Sequence, residues 1–343
     1  MEYLTRNGRN PNFSNAVMRP QWITLNIKVA EKASNMRIAV LGECYVELSH
    51  YPLCQTIGGD DFHIAVYLAR LGQYKHFQID FASAVGLDPF TQAWKQVCSD
   101  EHISLGLTEQ RSAQFPHFYY PEYQAKNQII EHHWQDNTAF STLFSHSITK
   151  LERAIELKQI DVLYLSAFAV SRLDDKSKII LVTLLEALKH QGGKCIFNCY
   201  CGHYFWTVKE SQYWVLKILS YADLAFVLYE NEHKRWRTIG EGMYHLMRSG
   251  CSEIIVSSSA KLVISERMRQ LMKSSQSRLY FYRSVGLTKR ISNGFIAGYI
   301  AGFVKGEMIE YRLSLGREMM KAISAYPYAL VPISAMRSVL SND

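Results

Sequence analysis

A largely parallel β-sheet covered by helices on both faces, an α/β architecture, is the fold class this sequence predicts. Two observations predict it. Short apolar segments alternate with segments of helical period along most of the chain, and the helical segments carry stop signals that return the chain to the next strand. A third observation adds to the picture: residues 110–134 leave the alternation for an aromatic stretch of period two, which predicts a small separate sheet. With 343 residues the chain can form one large domain with an appendage, or two ordinary domains.

Residues 1–35 are rich in Asn and Arg and lack a clear period, so they read as an N-terminal extension to a body spanning 36–343. RIAVLGECYVEL (37–48) holds a compact apolar strand followed by Gly42, and HIAVYLARLG (63–72) places Ile64, Leu68 and Leu71 at helical spacing before a glycine stop. IDFASAVG (79–86) is strand then turn. DPFTQAWKQVCSDE (88–101) is a helix with Asp88 as N-cap and Pro89 at its first position. In FPHFYYPEYQAKNQIIEHHW (115–134) the aromatic residues alternate, which predicts an antiparallel pair with His132 and His133 on opposite faces.

Alternation then resumes. SITKLERAIEL is a helix, DVLYLSAF a strand, DDKSKIILVTLLEALKHQGG a helix, KCIFNCY a strand, VKESQYWVLKILSYA a helix, DLAFVLYE a strand, EGMYHLMRSG a helix and EIIVSSS a strand. Right-handed crossovers place the C-terminal strand ends, and any ligand, along one edge. GFIAGYIAGF (294–303) predicts a tightly packed helix. Its Gly294, Gly298 and Gly302 repeat every four residues and would allow close approach to the sheet.

The net charge of +7 is spread along the chain without a block of like charges, so no nucleic-acid partner is expected. EHKRWR (232–237), the densest basic spot, reads as a solvated helix face. Seven cysteines without framework spacing indicate reduced thiols and a cytoplasmic location. Cys199, Cys201 and His203 lie close together but lack a second ligand pair, so strand-end packing is expected and no metal. Only 14 uncharged residues separate Arg290 from Lys305, fewer than the ~20 that cross a bilayer, and no membrane association is expected. The first residues are polar, without the apolar run of a signal peptide.

RIAVLGECYVELS, IGGDDFHIAVYLARLG, ASAVGLDPFTQAW, VLYLSAF, ADLAFVLYENE and GFIAGYIAGF stand in the order found in ribokinase-like (PfkB) carbohydrate kinases. From about residue 37 to 304 the chain resembles that family, and most of all its 2-keto-3-deoxygluconate kinases. The resemblance implies a three-layer α/β/α sandwich with a small β lid formed by residues of about 48–58 and 110–134. It also implies a small sugar ligand, Mg·ATP as cosubstrate and a homodimer paired through the lid. The family's D-T-x-G-A-G-D motif supplies an Asp that takes the sugar hydroxyl proton, and backbone N–H groups at a helix N-terminus that hold the transferred phosphoryl group.

Aligned on Phe295, Ala297, Gly298 and Tyr299, this motif puts Asn293 at the catalytic Asp, and Arg290, Ile291 and Ser292 at the anion hole. An amide is not a base, and β-branched Ile291 resists the backbone freedom that glycine supplies. The motif's leading Asp-Thr falls at Leu287 and Thr288. In IFNCYCGHYFW the family's Asp, Asn and Arg fall at Asn198, Tyr200 and Gly202, and the arginine after the lid Trp falls at Gln135. On the nucleotide side, Glu230 and His233 stand in the metal-linked motif, while SSSAKL with Ser257 and Ser259 replaces a glycine-rich segment. The sugar-side Gly58, Gly59, Asp60 and Tyr119 match. Glu43 and Glu47 flank the sheet end and suit the lid, and Trp206 suits packing.

Loss of a general base lowers rate by about 10²–10⁴, and loss of one oxyanion donor by about 10²–10³. The resemblance therefore implies a pseudokinase, with the fold kept for binding or association and no certain cofactor. The alternative is an active carbohydrate kinase using Mg·ATP, in which Lys289 and Arg290 take over the phosphate contacts and Asp60 is the nearest carboxylate.

Overall fold

The computed structural model describes residues 36–49, 54–111, 116–124, 128–134, 138–200, 205–258, 266–275, 277–283, 289–326 and 330–340. The extension 1–35 lies outside the described residues, as do Gln135, Cys201, Gly202, His203, Ser259, Leu287 and Thr288.

Eight strands form the main sheet: β1 (Met36–Leu41), β4 (Phe77–Val85), β5 (Thr108–Gln110), β8 (Val162–Ser166), β9 (Lys194–Asn198), β10 (Leu224–Leu228), β11 (Glu253–Ser258) and β12 (Arg278–Arg283). Their order is β12-β11-β10-β9-β8-β1-β4-β5, with parallel pairing throughout. Period-two alternation divides β1 between the two faces. Ile38 and Val40 pack with α1 (Asp60–Lys75), α10 (Lys289–Val304) and α11 (Ile309–Ser324), whereas Ala39 and Leu41 pack with α5 (Asp175–His190), α6 (Val208–Leu219) and α8 (Ile239–Met247). This is the three-layer α/β/α architecture.

Local signals start the helices. Asp88 accepts from Thr91 N at 2.9 Å to cap α2 (Pro89–Asp100), and Thr149 with Glu152 forms a capping box on α3 (Lys150–Glu156). A second sheet has the order β3-β2-β6-β7, from β2 (Tyr45–Ser49), β3 (Cys54–Gly58), β6 (His117–Gln124) and β7 (Gln128–Trp134). β2 and β6 run parallel; the outer pairs are antiparallel. The chain thus leaves the main sheet at Gly42 and enters the small one at Tyr45. Gly42 makes this crossing possible: a Cβ there would lie 2.3 Å from the Asp61 Cβ.

The glycine face of α10 packs on a helix, and the expected contact with the sheet is corrected. A Cβ on Gly298 would lie 2.8 Å from Leu315 O and 2.9 Å from Gly316 Cα, and one on Gly294 would lie 2.2 Å from Ile323 Cδ1. Two glycine surfaces, Gly298 and Gly316, bring α10 and α11 to backbone contact. Tyr299 OH and Arg312 Nη1 donate to buried Glu253 at 2.7 and 3.0 Å, tying both helices to the start of β11.

EHKRWR is likewise not a solvated face. Within and just after α7 (Tyr229–Arg235), Glu232 is 1% and Arg235 5% exposed, and both Arg235 Nη1 and Trp236 Nε1 donate to Glu232. The charges neutralise each other three residues apart, which lets the turn be buried. α9 (Glu266–Ser274) precedes β12, and α12 (Arg337–Leu340) ends the described chain against the α1 side of the sheet. Among the described residues no helix is long and apolar enough to cross a membrane.

Candidate functional site

The C-terminal ends of β9, β10 and β11 open beneath the N-terminus of α10. There a cavity of about 120 Å³ has Asp60, Asn198, Tyr200, Ser257, Ser292 and Asn293 among its lining residues. Hydrocarbon and rings complete the walls, chiefly Phe226, Val227, Ile255, Tyr282, Phe295 and Met320. Residues 233 positions apart in sequence meet here. Asn293 Nδ2, on a residue 3% exposed, donates to Asp60 Oδ1 at 2.9 Å.

Asp60 is placed by the turn before it. Gly59 has φ 125°, a conformation that excludes side chains, and α1 begins at the next residue, so the Asp60 carboxylate sits at a helix N-terminus. Gly58 ends β3, where a Cβ would lie 2.9 Å from Glu47 Oε2. Asn198, at the end of β9, accepts from Tyr200 N at 3.2 Å through Oδ1 and directs Nδ2 to Tyr164 OH at 3.4 Å.

Arg290, Ile291 and Ser292 already belong to the first turn of α10, and no positive φ occurs among them. Ile291 is buried, and Ser292 lines the cavity. Among the remaining expected residues, Ser257 reaches the cavity while its hydroxyl donates to Val227 O at 3.2 Å. Glu230, on α7, accepts from Ser258 Oγ at 2.8 Å and lies outside the cavity lining. Tyr119 is buried in the small sheet, donates to Glu131 Oε1 at 3.2 Å and also lies outside the lining. Burial and the nearby acidic groups push its phenol well above the usual range. The structure therefore brings Asp60, Ser257, Ser292 and Asn293 together, and leaves Glu230 and Tyr119 apart from them.

Two buried carboxyls lie nearby: Asp61, which the sequence does not single out, and Glu43, which it places at the sheet end as suiting the lid. Asp61 is enclosed behind Asp60 and accepts from Ser166 Oγ at 2.9 Å; burial, with the charge of Asp60, outweighs that bond and pushes its carboxyl up to about 8. Glu43, between the sheets, has the opposite balance. Burial alone would raise it, but it accepts from His117 Nδ1 at 3.1 Å, Arg172 Nε of α4 (Ala167–Arg172) at 3.0 Å and Thr138 Oγ1 at 2.7 Å, and together these hold it at about 2. His117 Nε2 meets His133 Nδ1 at 2.9 Å, so the chain of contacts crosses from the main domain into β7. An acidic residue after a glycine-ended strand is the only sequence signal for Glu43. Its histidine partners lie far along the chain.

A magnesium triphosphate needs cationic or N–H partners for its charge and oxygen ligands for its metal. Among the described lining residues, Asp60 is the carboxylate and is engaged by Asn293, and the Ser257 hydroxyl is engaged by Val227 O. The side chains of Lys289 and Arg290 and residues 259–265 and 284–288 lie outside the described residues. Among the described residues no group of three His, Cys, Asp or Glu is placed to hold a metal.

Comparison with known proteins locates the chain. The 2-dehydro-3-deoxygluconokinase of Escherichia coli (strain K12) is 26% identical over 306 residues, covering 88% of this chain and 98% of that protein. The Haemophilus influenzae protein of the same name is 24% identical over 313 residues, covering 89% and 99%. Among solved structures, 2-dehydro-3-deoxygluconokinase from Thermotoga maritima matches with TM-score 0.65 at 13% identity, over 90% of this chain and 100% of that one. Fructokinase with bound ATP from Xylella fastidiosa matches with TM-score 0.67 at 13% identity, over 90% and 98%. At these identities the structural likeness is one of fold. The profile described as pfkB family carbohydrate kinase matches residues 37–235, more than half of the sequence, and this chain belongs to that family.

Proposed function

We propose that this chain is a 2-dehydro-3-deoxygluconokinase-like protein that binds without transferring phosphate, a pseudokinase. One observation carries the reading: the side chain at the family's base position, Asn293, is a hydrogen-bond donor and is directed at the Asp60 carboxylate. Proton abstraction needs an acceptor within reach of the sugar hydroxyl, and an amide nitrogen offers none. The changed turn at Arg290, Ile291 and Ser292, with Ile291 buried, removes the glycine-supported anion hole as a second loss.

On this reading the sugar side, with Gly58, Gly59, Asp60 and Tyr119, keeps the capacity to bind a small sugar, and the small sheet acts as lid and as the surface that pairs with a second copy. Trp134, 56% exposed on the edge strand β7, supports such pairing. The test is ADP release from Mg·ATP in the presence of 2-dehydro-3-deoxygluconate. The expected result is no release above the protein-free rate.

The same contact favours a second function. Asp60 lies one hydrogen bond from the base position and faces the same cavity, so a rewired kinase would use Asp60 as its base. Sugar-dependent ADP release that Asp60→Asn abolishes would select this function and overturn the first.

A further inference from the structure

We propose that the contact between His117 and His133 is an acid-operated latch: it holds the small sheet against the main domain and releases it when the two rings take up a second proton. The inference goes beyond the reading above and does not depend on whether phosphate is transferred.

Both imidazoles stand at the base of the small sheet. His117 is the first residue of β6 and is fully buried, and His133 is the last residue but one of β7. Each also touches the main domain. His117 Nδ1 meets Glu43 Oε2 at 3.1 Å, and its ring stacks with Phe168 of α4 at 6.3 Å between centroids. The His133 ring meets Phe205, which lies between β9 and α6, edge-on at 5.0 Å. Phe168 and Phe205 are themselves 5.1 Å apart, so one aromatic cluster spans the junction.

Hydrogen-bond chemistry makes this junction sensitive to protons. The 2.9 Å contact of His117 Nε2 with His133 Nδ1 needs one N–H and one bare ring nitrogen. Two neutral rings satisfy it, and so does a pair sharing one extra proton. Two imidazolium rings set N–H against N–H and break it. The surrounding charges do not change that limit. Glu43 is already paired with Arg172, which donates to it at 3.0 Å and lies over the Phe205 ring. Tyr45 and Tyr119 face the rings from the small sheet, 5.0 Å from His117 and His133 respectively, and burial keeps both phenols protonated. The carboxylates of Asp60, Glu47 and Glu131 act around those phenols and favour a first proton on the pair, but none relieves the clash that a second creates. The closed junction therefore holds at most one extra proton, whereas separated rings hold two below the ordinary histidine value of about 6.5. The open form binds more protons, so acid favours opening.

The test is hydrogen–deuterium exchange of the full chain at pH 7.5, 6.5 and 5.0, corrected for the intrinsic exchange rate at each pH. Peptides covering 117–124 and 128–134 report the small sheet, and those covering 162–166 and 194–198 report the main one. We expect opening of the small sheet to rise about tenfold between pH 6.5 and 5.0, as uptake of one proton requires, with the main sheet unmoved. His133→Phe keeps a ring against Phe205 and removes the titrating nitrogens, so the acid rise should vanish. His132→Phe should keep it, because His132 lies on the opposite face of β7 and pairs with Glu122 at 2.8 Å. Opening that does not change with pH, an acid rise that survives His133→Phe, or one lost in His132→Phe would each overturn the proposal. So would an equal rise in both sheets, which marks global unfolding. The profile of the unmodified protein decides the matter even if a variant fails to fold.

Discussion

The two parts of α10 form a pair worth comparing. Its glycine face is closed: a methyl group on Gly298 would meet the backbone of Leu315 and Gly316 in α11. Its first turn borders a cavity, which Ser292 and Asn293 line. Packing at the closed face is fixed by backbone contact, where any added atom costs stability whatever the protein does. At the entrance Ser292 and Asn293 face the cavity, so on the proposed reading chemistry there can change while the helix stays in place. A fold can therefore remain well formed around a site that has lost its reaction.

The largest effect we expect lies away from the entrance. Glu43→Ala would leave Arg172 and His117 without their buried carboxylate and should cost about 3–5 kcal/mol, read by urea unfolding. The same group sets an acid limit. Its folded pKa, about 2, lies below the ordinary carboxylate value, so its contribution is full above that ordinary value and fades as pH falls toward 2. Glu43→Ala should remove this acid dependence; an unchanged acid profile would contradict the assigned contacts.

Next in size is the closed face. Gly298→Val should destabilise by about 2–3 kcal/mol, because the obstructing atoms are the backbone of Leu315 and Gly316 and cannot rotate away. A loss below about 0.5 kcal/mol would show that the two helices separate easily, and the contrast between face and entrance would fall.

Behind the entrance the sign reverses. Asp61 is held protonated up to about pH 8, whereas unfolded chain ionises near the ordinary value, so the folded state binds the extra proton and stability declines as pH rises between the two. Asp61→Asn, which copies the protonated form, should raise stability at pH 8 by about 1 kcal/mol or more and flatten that decline. A variant less stable than wild type at pH 8 would mean that Asp61 is ionised in the fold.

The smallest effect is expected at the entrance itself. Asn293→Asp restores a carboxylate at the base position, yet Arg290, Ile291 and Ser292 remain, so sugar-dependent ADP release should stay at the protein-free rate. Release that appears in this variant alone would show that a single residue separates the chain from activity.

Much of the architecture is legible in the sequence because buried parallel strands and their capped helices write a local pattern. IAVL, VLYLS, LAFVL and EIIVSS are strands, and Asp88 and Thr149 start helices through contacts three residues away. α11 is harder to see. Its buried stripe is Leu315, Gly316, Met319 and Ile323 among polar neighbours, narrow because the partner is a glycine face that needs little bulk. EHKRWR misleads for a related reason: charge density does not reveal that Glu232 and Arg235 pair with each other.

At the site, the sequence identifies Asp60 and Asn293 by their motifs, but their 2.9 Å contact depends on two helix N-termini meeting, which no local pattern encodes. The same is true of the cavity's apolar walls. Phe226, Ile255, Tyr282 and Phe295 come from three strands and a helix, and each reads alone as core. The His117–Glu43 contact joins a loop to the small sheet across 74 positions and is equally invisible to spacing.

Thermal unfolding of the purified protein with and without millimolar Mg·ATP tests the central claim most directly, namely that the entrance has been remade while the scaffold persists. A ligand at 100 times its dissociation constant stabilises by about 2.7 kcal/mol, enough to raise the midpoint by several degrees. We predict a cooperative transition whose midpoint does not move. A rise of several degrees that saturates with Mg·ATP would show an intact cosubstrate cleft and contradict the account.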